Sequence, residues 1–183
     1  MSAKARRFFI TGMLIVLAAI SFVSRADEGG YEDISRLINQ RLILMKEVAK
    51  YKAIHQQSVE DLIQEKKVLA ASVNKAQALG LDGLSVKPFI QAQMDVAKAI
   101  QYRYLADWLF APEYNEEPRD LDSVRRELIE INDVILVKTV NILKKHPEHN
   151  SDCSLMASLQ QPDLSQSEKE VICRTFKEIT LSH

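Results

Sequence analysis

Glycine and proline are scarce in this chain, five of each in 183 residues, and they fall between periodic segments. No stretch alternates apolar and polar residues long enough to form a strand. Sheet-based folds are thereby excluded, and an all-helical protein is expected. No glycine-rich phosphate loop exists. Only two cysteines occur, Cys153 and Cys173. Their spacing is not that of a zinc motif. No Ser/His/Asp or Cys/His arrangement offers a nucleophile. His146 and His149 are three apart, but Pro147 separates them at a helix end, so neither metal nor cofactor is expected. There is no basic tail and no Lys/Arg stripe with interleaved aromatics, which excludes nucleic acid as a partner.

What the chain has first is an export leader. Lys4, Arg6 and Arg7 precede an apolar run from Phe8 to Val23, and Ser24-Arg25-Ala26 supplies the small residues of a peptidase site. Residues 1–26 read as a signal peptide cleaved after Ala26. The alternative is an uncleaved anchor, although the run falls short of the roughly 20 apolar residues of a span. Export implies a periplasmic or secreted protein that leaves the membrane after cleavage. The leader takes four of the 24 basic residues, leaving 20 against 25 acids. Residues 27–183 suit one domain with its own core. In an exported chain the two cysteines read as one disulfide, with free thiols or a metal pair as alternatives. Closing a loop of about 20 residues would stabilise by roughly 3 kcal/mol.

Helical periodicity runs through four long segments. The first covers about Tyr31 to His55. The second starts behind a Ser58 cap, with Asp61 three residues on, and stops near Leu79 before Gly80. The third starts behind Ser85, tolerates Pro88 in its first turn and runs to about Phe110. The fourth starts behind Asp120 and ends at Pro147. A bundle over about 31–146 is therefore expected, with an extension over 147–183. That extension would hold a short helix near Cys153 and another from about Ser165 to Ile179, tied together by the disulfide.

The polar residues on the inner faces carry the chemistry. Arg41 and Lys52 are 11 residues apart, a net rotation of roughly 20° at 100° per residue. Both therefore join the stripe of Ile34, Ile38, Met45 and Val48. They lie about 16 Å apart along the axis. A cation on a core-facing stripe is costly unless it meets an anion. Either an elongated anion lies between the helices, or the long side chains snorkel to the end of the bundle.

Asp61 and Glu65 share a face of the second helix, Glu65 with Leu62, Val68 and Leu69 beside it. Glu65 is either half-buried or on a solvated edge. Gln101 interrupts the stripe Met94, Ala97, Leu105 and Trp108 of the third helix. A buried amide needs a partner, either a ligand or a neighbouring helix. Arg103 and Asp107 read as a surface pair. Arg125 lies beside Leu121, Leu128 and Ile129, while Arg126 faces solvent. Three cations, an amide and two acids suit a small dianion reshaped without covalent catalysis.

The stretches INQRLILMKEVAKYK, VEDLIQEKKVLA, DVAKAIQYRYLADW and DLDSVR resemble the all-helical chorismate mutases, specifically their exported branch. The resemblance spans roughly Ile38 to Arg125. Its more specific parts are the Arg41–Lys52 spacing and the block of Val59, Asp61 and Glu65. It implies a cofactor-free Claisen rearrangement of chorismate to prephenate. It assigns Arg41 and Arg125 to the carboxylates, and Lys52 to a carboxylate and the ether oxygen. Glu65, with the backbone near Asp61, would take the ring hydroxyl, and Gln101 would donate to the ether oxygen. Gln64 and Ala97 depart from the pattern, standing where many relatives have arginine and serine or threonine. A homodimer is the default expectation for a small enzyme. The competing expectation is a non-catalytic periplasmic binding or chaperone-like module, in which Arg41, Lys52 and Arg125 meet acids instead of a cavity.

Overall fold

The computed structural model describes residues 25–111, 117–146 and 158–183, with side chains from Gly30 onward. Most of the leader, Pro147 and Cys153 with its expected short helix lie outside the described residues. The described chain is all-helical: α1 (Arg25–Ile43), α2 (Met45–Ile54), α3 (Leu62–Ala78), α4 (Gly83–Trp108), α5 (Leu121–Lys145) and α6 (Gln166–Lys177). None of the described helices is long and apolar enough to cross a membrane.

The expected first helix is two helices and starts earlier, at Arg25. Leu44 alone separates α1 from α2, with φ −64° and ψ −14°. Hydrogen bonds from Leu44 to Gln40 and from Val48 to Leu44 carry the helical ladder across the join. The interruption is therefore local, and the stripe continues. Ile34, Ile38, Met45 and Val48 are all buried, with Arg41 and Lys52 among them.

Two caps differ from expectation, and each difference positions the site. Ser58 does not cap α3. The Lys52 ammonium donates to the Val59 carbonyl at 2.6 Å, which holds the 55–61 segment across the end of α2. The helix therefore begins only behind Asp61, whose carboxylate accepts from the Gln64 amide at 3.0 Å. Ser85 does not cap α4 either, because Asp82 does so through the Leu84 amide. The Ser85 hydroxyl instead accepts from the Thr180 amide at 3.0 Å. That contact, with the Leu81–Leu181 bridge, fastens the end of the chain to the α3–α4 turn. Gly80 occupies the turn at φ 89°, a left-handed conformation that favours glycine.

α4 is the spine, packing against α2, α3 and α6, while α1 and α3 pack on α5. Phe89 of α4 meets Phe176 of α6 edge-on at 5.3 Å, both fully buried. α6 starts at a capping box formed by Ser165 and Glu168. Arg103 is not paired with Asp107. Its guanidinium donates to the Asp163 carbonyl and to Glu168, both at 2.7 Å. The C-terminal extension offers a better-shielded acid than the helix's own surface, so Arg103 ties α4 to α6.

Candidate active site

The helices α1 to α5 line a partly open cavity of about 440 Å³. α1 contributes Arg41 and α2 contributes Lys52 at the other end of the shared stripe. The N-terminal turn of α3 brings Asp61, Gln64 and Glu65. From α4 come Ala97 and Gln101, and from the first turn of α5 comes Arg125. All eight positions singled out in the sequence line this one cavity. Met45, Val48, Val59, Met94 and Leu128 supply apolar walls between them. Leu62, expected beside Glu65, is exposed instead, because the late start of α3 puts it on the solvent side of the first turn.

The charges sort into two groups. Arg125 lies 3.0 Å from Asp61, and Glu65 lies 2.9 Å from Lys98. Among the described residues, Arg41 and Lys52 have no carboxylate at salt-bridge distance. The Arg41 guanidinium donates to the Gln93 amide oxygen at 3.3 Å, and its Nε has no partner. Burial alone pushes the pKa of Arg41 down to about 10. The Lys52 ammonium is also pushed below the usual lysine range, first by burial and then by the Arg125 charge. Asp61, Glu65 and Glu60 pull it the other way. Lys98 is raised, chiefly because Glu65 accepts its hydrogen bond.

Gln101 is buried, and its amide nitrogen donates to the Ala97 carbonyl at 3.1 Å and toward the Met45 sulfur at 3.6 Å. Its amide oxygen has no partner. To donate to a ligand the amide must turn about its terminal torsion, which is soft for an sp² group. The Glu65 carboxylate is fixed at both oxygens, one by Lys98 and the other by the Asp61 amide at 3.3 Å.

Several groups at the site escaped the sequence reading, Ser72, Lys75 and Asp133 among them. Gln93 lies one turn before Ala97 on the Gln101 stripe, so extending that stripe would have found it. Asn132 lies two turns after Arg125 and donates to Ser72 at 3.1 Å. Lys98, with Asp95 three residues before it, carries the pattern of an ordinary surface pair. That pair does form, at 3.1 Å, but the same ammonium also reaches Glu65.

The described residues form an all-helical bundle whose cavity is lined by two cations, Arg41 and Lys52, that have no carboxylate at salt-bridge distance. The chain belongs to the chorismate mutase family. The Chorismate mutase type II family pattern matches residues 32–102. The chain is 38% identical to the secreted chorismate mutase of Yersinia pestis, over 96% of this chain and 95% of that one. It is 36% identical to the monofunctional chorismate mutase of Enterobacter agglomerans, over 82% and 83% of the two chains. The crystal structure of the Yersinia pestis secreted enzyme matches with a TM-score of 0.76 at 41% identity, covering 81% of this chain and 97% of that one.

An unpaired buried guanidinium costs folding stability that only an anion returns. Arg41→Met, which keeps the volume and removes the charge, is therefore expected to raise the melting temperature by about 2 °C or more, given 2–4 °C per kcal/mol at this size. Turnover should fall at least about 10²-fold, removal of a preorganised charge costing about 2.7 kcal/mol or more. A calorimetric scan and a rate measurement on the same sample check both. A lowered melting temperature would show that the Gln93 contact outweighs the desolvation of the charge.

Proposed function

We propose that this cavity rearranges chorismate to prephenate by holding the dianion in a folded conformation and stabilising the charge that develops on its ether oxygen. Chorismate mutase activity follows from family membership, and the assignment of roles to residues is our reading. The observation that carries it is the pair of unpaired cations, Arg41 and Lys52, on one wall of a cavity that Arg125 also lines. Arg41 and Arg125 bind the two carboxylates. Lys52 binds a carboxylate and the ether oxygen, and Gln101, with its amide turned, donates to the same oxygen. Glu65 and the Asp61 backbone take the ring hydroxyl. Gln64 and Ala97 add lesser contacts, an amide bonding an anion more weakly than a guanidinium.

One C–O bond breaks as one C–C bond forms within the same molecule, so no atom, proton or electron pair enters or leaves. No covalent intermediate or cofactor is part of this scheme. An acceleration near 10⁶ needs about 8 kcal/mol. Two or three charge-assisted bonds of about 1.5–3 kcal/mol each, with conformational restriction of the substrate, supply it. Arg125 bonded to Asp61 is the one contact that favours the non-catalytic alternative. Arg41 and Lys52 speak against it, since a structural cation needs an acid beside it.

Export belongs to the same proposal. The leader at residues 1–26 and the name of the Yersinia pestis relative support it. The mature enzyme is one domain from Asp27 to His183, its bundle at about 31–146 and its extension at 147–183. Cys173 is not a free thiol, which supports a bond to Cys153 tying the extension. The eight candidate residues all lie on this chain, and the homodimer remains part of the proposal.

Three outcomes test this reading. Following chorismate disappearance by absorbance, Lys52→Ala should lose at least about 10²-fold in turnover with its helical circular dichroism unchanged. Turnover within threefold of wild type would remove Lys52 from the mechanism. Gln101→Glu should work only at acidic pH, where the new carboxyl carries a proton to donate. Wild-type turnover should change little between about pH 6 and 8, and a variant profile equally flat would displace Gln101 from the ether oxygen. N-terminal sequencing of exported protein should read from Asp27, and thiol titration should find no reactive cysteine. An intact Met1 would refute cleavage of the leader, and two reactive thiols would refute the Cys153–Cys173 bond.

A further inference from the structure

We infer that Lys98 is a positioning residue for the reaction, which fixes and neutralises Glu65 so that an acid can sit in a cavity built for a dianion. The inference rests on the reading that Glu65 accepts the ring hydroxyl. Lys98 lies on α4 between Ala97 and Gln101, lines the same cavity, and has a side chain only 23% exposed. Its ammonium is 2.9 Å from Glu65 Oε2 and 3.1 Å from Asp95 Oδ1. Glu65 Oε1 accepts from the Asp61 amide at 3.3 Å. The carboxylate is thus gripped at both oxygens, and its direction is set before a ligand enters.

The charge count gives the reason. Among the described residues at the cavity, Asp61 neutralises Arg125 and Glu65 neutralises Lys98. Arg41 and Lys52 are left over, a surplus of two positive charges that matches two carboxylates. Lys67 also lines the cavity, but it is exposed to solvent, and Lys75 at the far end is 3.0 Å from Asp133. Without Lys98 the surplus falls to one, and an unneutralised acid faces the ligand. The other charges near Glu65 do not replace it. Asp95 and Asp61 are acids, Arg125 is held by Asp61, and Lys52 is the group the ligand needs.

Repulsion from an unneutralised acid acts on bound substrate and transition state alike, so its loss should appear mainly in KM. The test measures kcat and KM for chorismate in Lys98→Met, Lys98→Arg, Glu65→Gln and the Lys98→Met/Glu65→Gln double variant, each checked by circular dichroism. Lys98→Met should raise KM about tenfold or more with kcat within threefold of wild type. Lys98→Arg should return KM to within threefold, which separates a charge requirement from lost packing. In the Glu65→Gln background, Lys98→Met should change KM by less than twofold, because the acid it neutralises is gone. Lys98→Met within threefold of wild type in KM, or equally damaging in both backgrounds, overturns the inference while leaving the role of Glu65 standing. A Glu65→Gln variant as active as wild type overturns both. Should Lys98→Met not fold, Lys98→Gln, which keeps a polar end for the partly exposed site, takes its place under the same criteria.

Discussion

A buried charge with no counter-charge is the constraint on which this molecule is organised. Desolvating a guanidinium costs several kcal/mol even after relaxation, and among the described residues Arg41 meets a neutral amide across 3.3 Å and no carboxylate. Among the same residues Lys52 meets a backbone carbonyl and no carboxylate at salt-bridge distance. Such a pair persists when the rest of the fold carries the stability it lacks. The apolar stripe around it does so, with Ile34, Ile38 and Leu42 on one side and Met45 and Val48 on the other, all buried. On the proposed roles, what the fold gives up there is returned on binding an anion, and two sites of deficit call for two negative charges.

The other charges of the cavity are arranged so that this deficit stays at two. Asp61 caps α3 and holds Arg125 with its second oxygen. Glu65 reaches back to the same cap and holds Lys98. One helix start therefore serves local folding and charge balance together. The start is late because Lys52 draws the Val59 carbonyl toward itself. The spine α4 presents Ala97, Lys98 and Gln101 to the cavity while Arg103 and Phe89 anchor its other sides to the extension. The extension thus bears on the site through α4 and through α1, where Asn39, two residues before Arg41, donates to the Ser158 carbonyl and accepts from the Gln160 amide.

Much of this was legible in the sequence, for a definite reason. Helical periodicity fixes which residues share a face, and Arg41, Lys52, Gln101 and Arg125 declared themselves by interrupting apolar stripes. Asp61 and Glu65 shared a face in the same way. Periodicity does not report what lies opposite. Lys98 and Arg103 were each readable as partners of a neighbour on α4, and both turned to acids 33 and 65 residues away. The caps at Ser58 and Ser85 failed for different reasons: Lys52 holds the Val59 carbonyl ahead of α3, and Asp82, three residues before Ser85, caps α4 through the Leu84 amide and leaves Ser85 to accept from Thr180. The break at Leu44 has neither glycine nor proline to mark it, and nothing in the surrounding contacts explains it.

Two uncompensated cations in one cavity should select a dianion. Titration calorimetry with an unreactive dicarboxylate shaped like the cyclic transition state, set against its monomethyl ester, tests it most directly. One dicarboxylate should bind per chain, at least about tenfold more tightly than the ester, one charge-assisted bond being worth about 1.5 kcal/mol or more. Equal affinity for the two compounds, or binding of neither, would contradict it.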